Sequence, residues 1–267
     1  MPIHFSRKPG LVVYLTVGDP TIEATRQIAL AAIDAGADVL ELGVPFSDPL
    51  ADGPVIERAS QRAVAAHTSL ADVLSLAKEL HAARPQIGLV LFSYFNPILR
   101  YGLKRFTKDA QEAGVDGVLA TDLTIEEADG PYLEAMRAAN LAPIFLAAPT
   151  STDERLRRIA ALSQGFVYAV SRVGITGTQQ SLATDARSLV ERLRRFTSLP
   201  IALGFGISNA EHFAAVGEFA DAAVIGSAIV GLIEKTPSPD APAAVARFIH
   251  GLRPTNAAAS RSKDTLQ

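Results

Sequence analysis

Eight short apolar runs alternate with longer helix-like segments along this chain of 267 residues, and this alternation limits its fold more than any other feature. The runs lie at residues 11–17, 37–42, 88–93, 117–120, 142–147, 165–170, 200–203 and 221–225. Strands that are apolar throughout, each followed by a helix, indicate a parallel sheet covered by helices. Eight such units in about 250 residues fit an α/β fold of the (β/α)8 TIM-barrel type.

The same pattern predicts one domain. With 48% hydrophobic and 20% charged residues, the chain is long enough to build one large core. We expect a single barrel domain over residues 1–253. Residues 254–267 are small, polar and without periodicity, so we expect a flexible C-terminal tail there.

Composition excludes several classes of function. The chain has no cysteine, which excludes disulfides, thiolate nucleophiles and cysteine-ligated metal sites. Its net charge is −3 without a basic stripe, so we expect no nucleic-acid partner. No apolar run is as long as a membrane span and the N-terminus lacks a signal-peptide pattern, so we expect no membrane association and a cytoplasmic location. The histidines are scattered without a helical pair of metal ligands: His4, His67, His81, His212 and His250.

The second predicted strand carries the strongest sign of chemistry. Glu41 lies inside the apolar run 37–42, where an unpaired charge is costly. Asp48 and Asp52 follow on the adjoining loop, and the active sites of such barrels are built from the loops after the strands. Glu41 is therefore a candidate acid/base group, and Asp52 a candidate acceptor for a ligand N–H. A structural role for Glu41 in capping loop amides, and an Asx-turn at Asp48, are the open alternatives.

The loops after other strands predict an anion site and an aromatic slot. Glycines let backbone N–H groups approach a phosphate closely, and a helix that begins at Ser227 favours negative charge. These glycines are Gly204, Gly206 and Gly226. Aromatic side chains at the strand ends could line a slot for a flat ring: Tyr14, Phe46, Tyr94, Tyr168 and Phe205. Simple turns for the glycines and core packing for the rings are the alternatives.

One long motif gives the chain a family resemblance. Residues 40–55 read Leu-Glu-Leu-Gly-Val-Pro-Phe-Ser-Asp-Pro-Leu-Ala-Asp-Gly-Pro-Val. Shorter segments match as well and in the same order, at residues 15–20, 94–98, 114–117, 168–177, 204–208 and 225–230, together with Asp122. Over about residues 9–250 the chain resembles the tryptophan synthase α subunit family.

The resemblance implies a lyase that cleaves indole-3-glycerol phosphate to indole and glyceraldehyde 3-phosphate by a retro-aldol reaction. It implies that Glu41 is the general acid/base, that Asp52 accepts a hydrogen bond from the indole N–H, and that Tyr168 orients Glu41. The implied substrate-binding residues, with Thr176 on a mobile lid, are Tyr14, Tyr94, Thr176, Gly177, Gly206, Gly226 and Ser227.

The resemblance also implies a partner. The α subunit docks on a β subunit dimer in an α2β2 heterotetramer of L-tryptophan biosynthesis and passes indole through an internal tunnel. Pyridoxal phosphate belongs to that β subunit, so no cofactor and no metal are expected in this chain. The loops at residues 45–48 and 96–97 match positions at the interface.

The chain departs from the family pattern in three places. Only about ten residues precede the first strand, where many relatives carry a further helix. Leu123-Thr124-Ile125 replaces a proline-containing segment linked to communication between subunits, and Tyr14 stands where phenylalanine is common. Two alternatives stay open: a free-standing lyase with the same chemistry, and a non-catalytic activator of a β subunit. The presence of Glu41, Asp52 and the glycines argues against the second.

Overall fold

Parallel strands form one sheet in the part of the chain that the computed structural model describes, which is residues 3–170, 179–204 and 206–253, with the backbone alone for 179–183. The predicted tail, residues 254–267, lies outside these residues. The strands are β1 (Gly10–Thr16), β2 (Val39–Gly43), β3 (Gly88–Ser93), β4 (Gly117–Ala120), β5 (Ala142–Ile144), β6 (Leu146–Ala147), β7 (Val167–Val170), β8 (Ile201–Gly204) and β9 (Ala222–Ile225).

The sheet closes into the expected (β/α)8 barrel. Its strand order is β5-β4-β3-β2-β1-β9-β8-β7-β6, so β5 and β6 lie at its two ends. These two strands are consecutive in the chain and are separated only by Phe145, whose carbonyl accepts a hydrogen bond of 3.2 Å from the Tyr168 amide. The predicted fifth strand, 142–147, is therefore one barrel position with an interruption at a single residue.

Helices cover the outside of the barrel. In the described residues they are α1 (Ile22–Asp34), α2 (Pro54–Ala65), α3 (Leu70–Ala83), α4 (Phe95–Tyr101), α5 (Leu103–Glu112), α6 (Ile125–Ala128), α7 (Pro131–Ala138), α8 (Asp153–Leu162), α9 (Gln179–Arg194), α10 (Ala210–Gly217), α11 (Ser227–Lys235) and α12 (Ala241–Leu252), with a 3-10 helix at Ser238–Asp240. None of the helices in these ranges is long and apolar enough to cross a membrane.

Two helices differ from the sequence expectation. The sequence pattern alone favours one helix near residues 57–83. The structure divides it between α2 and α3, because His67 has a φ of 61° and Ser69 caps α3 by accepting a hydrogen bond from the Asp72 amide. The pattern likewise favours one helix near residues 125–140. The structure divides it between α6 and α7 at Gly130, with a φ of 103°, and the following proline. Both breaks leave the order of strands unchanged.

Alternation along each strand divides the core into two layers. Leu11, Val13 and Leu15 of β1 belong to the large cluster between sheet and helices, whereas Val12 belongs to the smaller cluster inside the barrel with Val39 of β2. Because successive side chains of a strand point to opposite faces, residues two positions beyond these also face inward. Tyr14 and Glu41 are those residues.

The N-terminal segment closes the floor of the barrel. Ile3 is buried in the interior cluster, and the Phe5 ring packs edge-on against Phe166 with 6.0 Å between ring centroids. Apolar side chains thus fill the bottom of the barrel, and the open space lies at the opposite end. That end holds the loops that follow the strands.

Candidate active site

A cavity of about 870 Å³ opens at the C-terminal end of the barrel. Tyr14 and Glu41 are paired in register on β1 and β2, and both line it. The lining also contains Asp52 and the loops after β6, β8 and β9. Its described residues are Tyr14, Glu41, Ala51, Asp52, Gly53, Ile56, Phe92, Leu146, Ala148, Pro149, Thr150, Tyr168, Val170, Gly204, Gly206, Ile207, Ser208, Val224, Gly226, Ser227 and Ala228.

Glu41 is a buried carboxyl without a hydrogen-bond partner in the described part of the chain. Its side chain is 0% exposed, and neither carboxyl oxygen makes a hydrogen bond to any residue of the described ranges. Burial raises the pKa of Glu41 from 4.5 to about 8, because the ionised form loses its hydration and gains no compensating charge. At neutral pH this group is therefore mostly a neutral acid that faces the cavity. The alternative role of capping loop amides is not seen among the described residues.

Asp52 is held at the cavity wall by a tyrosine. The Tyr94 hydroxyl donates a hydrogen bond of 3.3 Å to Asp52 Oδ2 and accepts one of 2.8 Å from the Ala51 amide. Burial raises the pKa of Asp52 from 3.8 to about 6, although the Tyr94 hydrogen bond acts in the opposite direction. Asp52 is thus mostly ionised at pH 7 while Glu41 is mostly protonated, and such a difference lets two carboxyl groups take different roles.

Tyr94 itself lies behind Asp52. It is absent from the described lining of the cavity, and its ring packs against Phe46 with 5.1 Å between centroids. The sequence prediction of substrate contact therefore differs from its position, which is that of a support for the loop. Burial is the largest cause that raises the pKa of Tyr94 above its usual value, and the nearby Asp52 charge is the second. The hydroxyl therefore keeps its proton and remains a donor.

The other two tyrosines form the apolar wall near Glu41. The Tyr14 ring meets Phe92 edge-on at 5.0 Å, and its hydroxyl accepts a hydrogen bond of 3.3 Å from Thr16. Tyr168 of β7 lies against Gly204, where a Cβ atom would come within 2.8 Å of the tyrosine hydroxyl. Burial raises the pKa of both tyrosines, and the Glu41 carboxyl also raises each of them. Both tyrosine hydroxyls are therefore protonated at neutral pH, and the rings form an uncharged wall.

Glycines and a helix N-terminus form the opposite side of the cavity. Gly206 has a φ of 31°, and Gly226 precedes α11 without any side-chain cap. Ser227 is the first residue of that nine-residue helix, so its first amides are free to bind a ligand anion. In the described lining there is no lysine, arginine or histidine. An anion here would be bound by backbone amides and the hydroxyls of serines.

Several predicted residues lie elsewhere or outside the description. Asp48 is absent from the described lining and accepts a hydrogen bond from its neighbour Ser47. Asp122 accepts a hydrogen bond of 2.7 Å from the Phe95 amide and so holds the start of α4. Thr176, Gly177 and Phe205 fall outside the described residues. Across the described ranges no group of three or more histidine, aspartate or glutamate side chains could hold a metal ion.

Part of the apolar lining was not predicted from the sequence. Phe92, Leu146 and Val224 line the cavity from β3, β6 and β9. The signal was the alternation within each strand, because Phe92 follows the inward-facing Val90 by two positions, and Val224 follows Ala222 in the same way.

Comparisons with known proteins agree with this geometry. The family described as "Tryptophan synthase alpha chain" matches residues 3–259. A tryptophan synthase alpha chain from Solibacter usitatus is 50% identical over 228 residues, which are 85% of each chain. One from Methylococcus capsulatus is 48% identical over 227 residues, covering 85% of this chain and 84% of the relative.

Solved structures give the same result. A chain from the tryptophan synthase α2β2 complex of Pyrococcus furiosus superposes with a TM-score of 0.86 at 36% identity, covering 92% of this chain and 98% of that one. A chain of tryptophan synthase from Mycobacterium tuberculosis in its aminoacrylate-bound form superposes with a TM-score of 0.82 at 33% identity, covering 92% and 94%.

Proposed function

The chain belongs to the tryptophan synthase alpha chain family, and from this membership we propose how each residue of the cavity serves its reaction. It is a lyase of tryptophan biosynthesis that cleaves indole-3-glycerol phosphate to indole and glyceraldehyde 3-phosphate. The observation that carries the proposal is Glu41, a neutral acid without a hydrogen-bond partner in the described residues, on the wall of a cavity that also holds Asp52.

Glu41 moves the two protons of the retro-aldol step. As the neutral acid it gives its proton to C3 of the indole ring, which leaves the ring as a cationic indolenine. The resulting carboxylate then takes the proton of the hydroxyl on the carbon attached to C3. The electron pair of that O–H bond forms the aldehyde carbonyl, and the electron pair of the broken C–C bond returns to the ring. Glu41 ends protonated as it began, and indole leaves with the new hydrogen at C3.

Asp52 stabilises the charge that develops in between. Its ionised carboxylate accepts a hydrogen bond from the ring N–H, and it attracts the positive charge that protonation at C3 places on that nitrogen. Tyr94 supports this role, because its hydrogen bonds to Asp52 and to the Ala51 amide hold the carboxylate in one place. Tyr168 and Tyr14 provide the apolar wall against which the indole ring packs. The family resemblance assigns Tyr168 the orientation of Glu41. Burial raises the pKa of Tyr168, and the charge of Glu41 raises it further.

The phosphate group binds at the glycine side of the cavity. Gly206, Gly226 and Ser227 offer backbone amides and a hydroxyl, and the α11 N-terminus favours a dianion. Thr176 and Gly177 are assigned to the lid and the phosphate site by the family resemblance alone, so for them the assignment stays a prediction.

The family relation also supports a partner. We infer that the chain assembles with a β subunit into an α2β2 heterotetramer, as the Pyrococcus furiosus protein does, and that pyridoxal phosphate is bound only by the β subunit. Leu50 is 96% exposed and Leu99 is 52% exposed, and each lies next to a segment predicted for the interface. Exposed apolar side chains beside both segments suit a surface that another subunit covers. The phosphorylated substrate does not cross membranes unaided, so we place the enzyme in the cytoplasm.

Indole release from indole-3-glycerol phosphate tests the proposal. The purified chain should release indole slowly alone and faster with a β subunit. Without β, Asp52→Asn should lower kcat/KM by about 10²- to 10⁴-fold, whereas the matched control Asp48→Asn should not, because Asp48 is absent from the described lining. A wild type that releases no indole would refute the cleavage, equal rates for the two variants would refute the role of Asp52, and no response to β would favour the free-standing lyase.

A further inference from the structure

Two helices that begin at the cavity are joined by ion pairs farther along their lengths. α2 begins at Pro54, two residues after Asp52, and α11 begins at Ser227. Gly53 and Ile56 on one side, and Ser227 and Ala228 on the other, line the cavity. The start of α2 therefore carries the group proposed for the indole nitrogen, and the start of α11 carries the groups proposed for the phosphate.

Arg62 connects three elements through two carboxylates. Its Nε and Nη2 atoms donate to the two oxygens of Asp19, each at 2.8 Å, and its Nη1 atom donates to Glu234 Oε1 at 2.8 Å. Arg58, one turn earlier in α2, donates to both oxygens of Glu234 at 2.9 and 2.8 Å. Glu234 lies in the last turn of α11, and Asp19 lies in the loop between β1 and α1. We call these four residues the ionic clamp.

The ionic clamp differs from an ordinary surface ion pair. Asp19 is only 4% exposed, and both arginines meet a carboxylate through two parallel hydrogen bonds, which fixes angle as well as distance. The two arginines lower the pKa of Glu234 from 4.5 to about 2, so it stays ionised at any working pH. Such a network holds one geometry better than an isolated pair of flexible side chains does.

Distance separates the ionic clamp from the chemistry. Glu234 lies seven positions after Ser227, which corresponds to about 10 Å along the helix axis. Arg58 and Arg62 lie four and eight positions after Pro54, which correspond to about 6 and 12 Å. Beside the ion pairs, Ala59 of α2 and Val230 of α11 pack in one buried cluster with Tyr14. A rotation of α2 about this contact would move Asp52 relative to Gly226. Ion pairs between α2 and α11 would oppose that rotation.

We propose that the ionic clamp of Asp19, Arg58, Arg62 and Glu234 is a positioning device that sets the spacing between the indole end and the phosphate end of the active site. This proposal rests on the proposed function. It touches neither end. It makes the enzyme selective for a ring and a phosphate joined at one length, because a gain from joining two ligand halves depends on both sites being engaged at once.

Separate and joined ligands test this spacing. The variant Glu234→Ala removes the link between α2 and α11 but leaves Asp19 paired with Arg62. The matched control Asp34→Ala breaks the bidentate pair with Arg84, at 2.9 and 2.9 Å, which joins α1 to the end of α3 away from the cavity. Calorimetry then measures the dissociation constants of three ligands for each protein. They are indole alone, glycerol 3-phosphate alone, and a non-cleavable analogue in which three carbons join the ring and the phosphate.

Glu234→Ala should bind each half as the wild type does, within about twofold, but should bind the joined analogue about tenfold more weakly and lose about ten- to a hundredfold in kcat/KM for cleavage. Arg62→Lys, which keeps the charge but not the fork of donors, should lose nearly as much. Asp34→Ala should lose only thermal stability. If the wild type cleaves the substrate and Glu234→Ala matches Asp34→Ala in every binding constant, the proposed role of the ionic clamp is overturned. If the wild type does not cleave the substrate, the proposed function is overturned instead.

Discussion

Replacing Glu41 by glutamine should change how the stability of the protein depends on pH. The pKa of Glu41 is raised from 4.5 to about 8 by burial, so the folded state holds a proton that the unfolded state releases between these two values. At 1.36 kcal/mol per pH unit, the difference between these two pKa values corresponds to about 5 kcal/mol of unfolding free energy. The stabilisation is complete below about pH 4.5 and is lost as pH rises through about 8, with a slope of at most about 1.4 kcal/mol per unit.

The difference between the two proteins isolates this effect. Glutamine cannot ionise, so Glu41→Gln should carry a constant offset from its buried amide and none of the decline. Urea unfolding of both proteins from pH 5 to pH 9 gives the difference in unfolding free energy, which should move in favour of the variant as pH rises. Glu23→Gln is the control, because hydrogen bonding to Arg26 lowers the pKa of the exposed Glu23, and its removal cannot produce a loss above pH 5. A flat difference for Glu41→Gln would refute the reading of Glu41 as a neutral acid.

Two further predictions concern the supports of the site. Tyr94→Phe removes the donor to Asp52 and the acceptor of the Ala51 amide, so the acidic limb of the kcat/KM profile should move to higher pH and activity should fall; an unmoved limb would contradict the role of the hydrogen bond. Gly204→Ala places a Cβ atom within 2.8 Å of the Tyr168 hydroxyl, so the strand or the ring must shift, at about 1–3 kcal/mol measured by urea unfolding, with a loss of activity. Gly231→Ala, whose Cβ would meet Val55 only at 3.7 Å, is its control, and equal losses in both would exclude the steric reasoning.

The arrangement of the site was predictable as far as topology determines it. Parallel strands bring the loops that follow them to one end, so Glu41, Asp52 and Tyr168 could be assigned to one region from the order of strands alone. The chemical role of each group stays a prediction. The protonation state of Glu41 could not be read from sequence, because it depends on whether any neighbour donates a hydrogen bond to its carboxyl.

Local backbone geometry limited the rest of the prediction. The break after α2 occurs at His67, which adopts a left-handed conformation, and no glycine or proline marks it. The break before α7 was marked by Gly130 and Pro131, and the pattern of apolar residues across it masked the signal. The position of Tyr94 behind Asp52 depends on the path of the loop between β2 and α2, and side-chain types alone do not determine that path.

Closure of the barrel requires the first strand to pair with the last. One edge of β1 pairs with β2, about thirty residues later in the chain. Its other edge pairs with residues 222–225 of β9, and Gly10 is paired with Ala222, so this contact joins residues far apart in sequence. During synthesis at the ribosome that edge emerges early and has no native partner until β9 has been made. Contacts so distant in sequence slow folding, and an unpaired edge invites association with other nascent chains. A chaperone that shields nascent chains would therefore act mainly before the last barrel strand emerges.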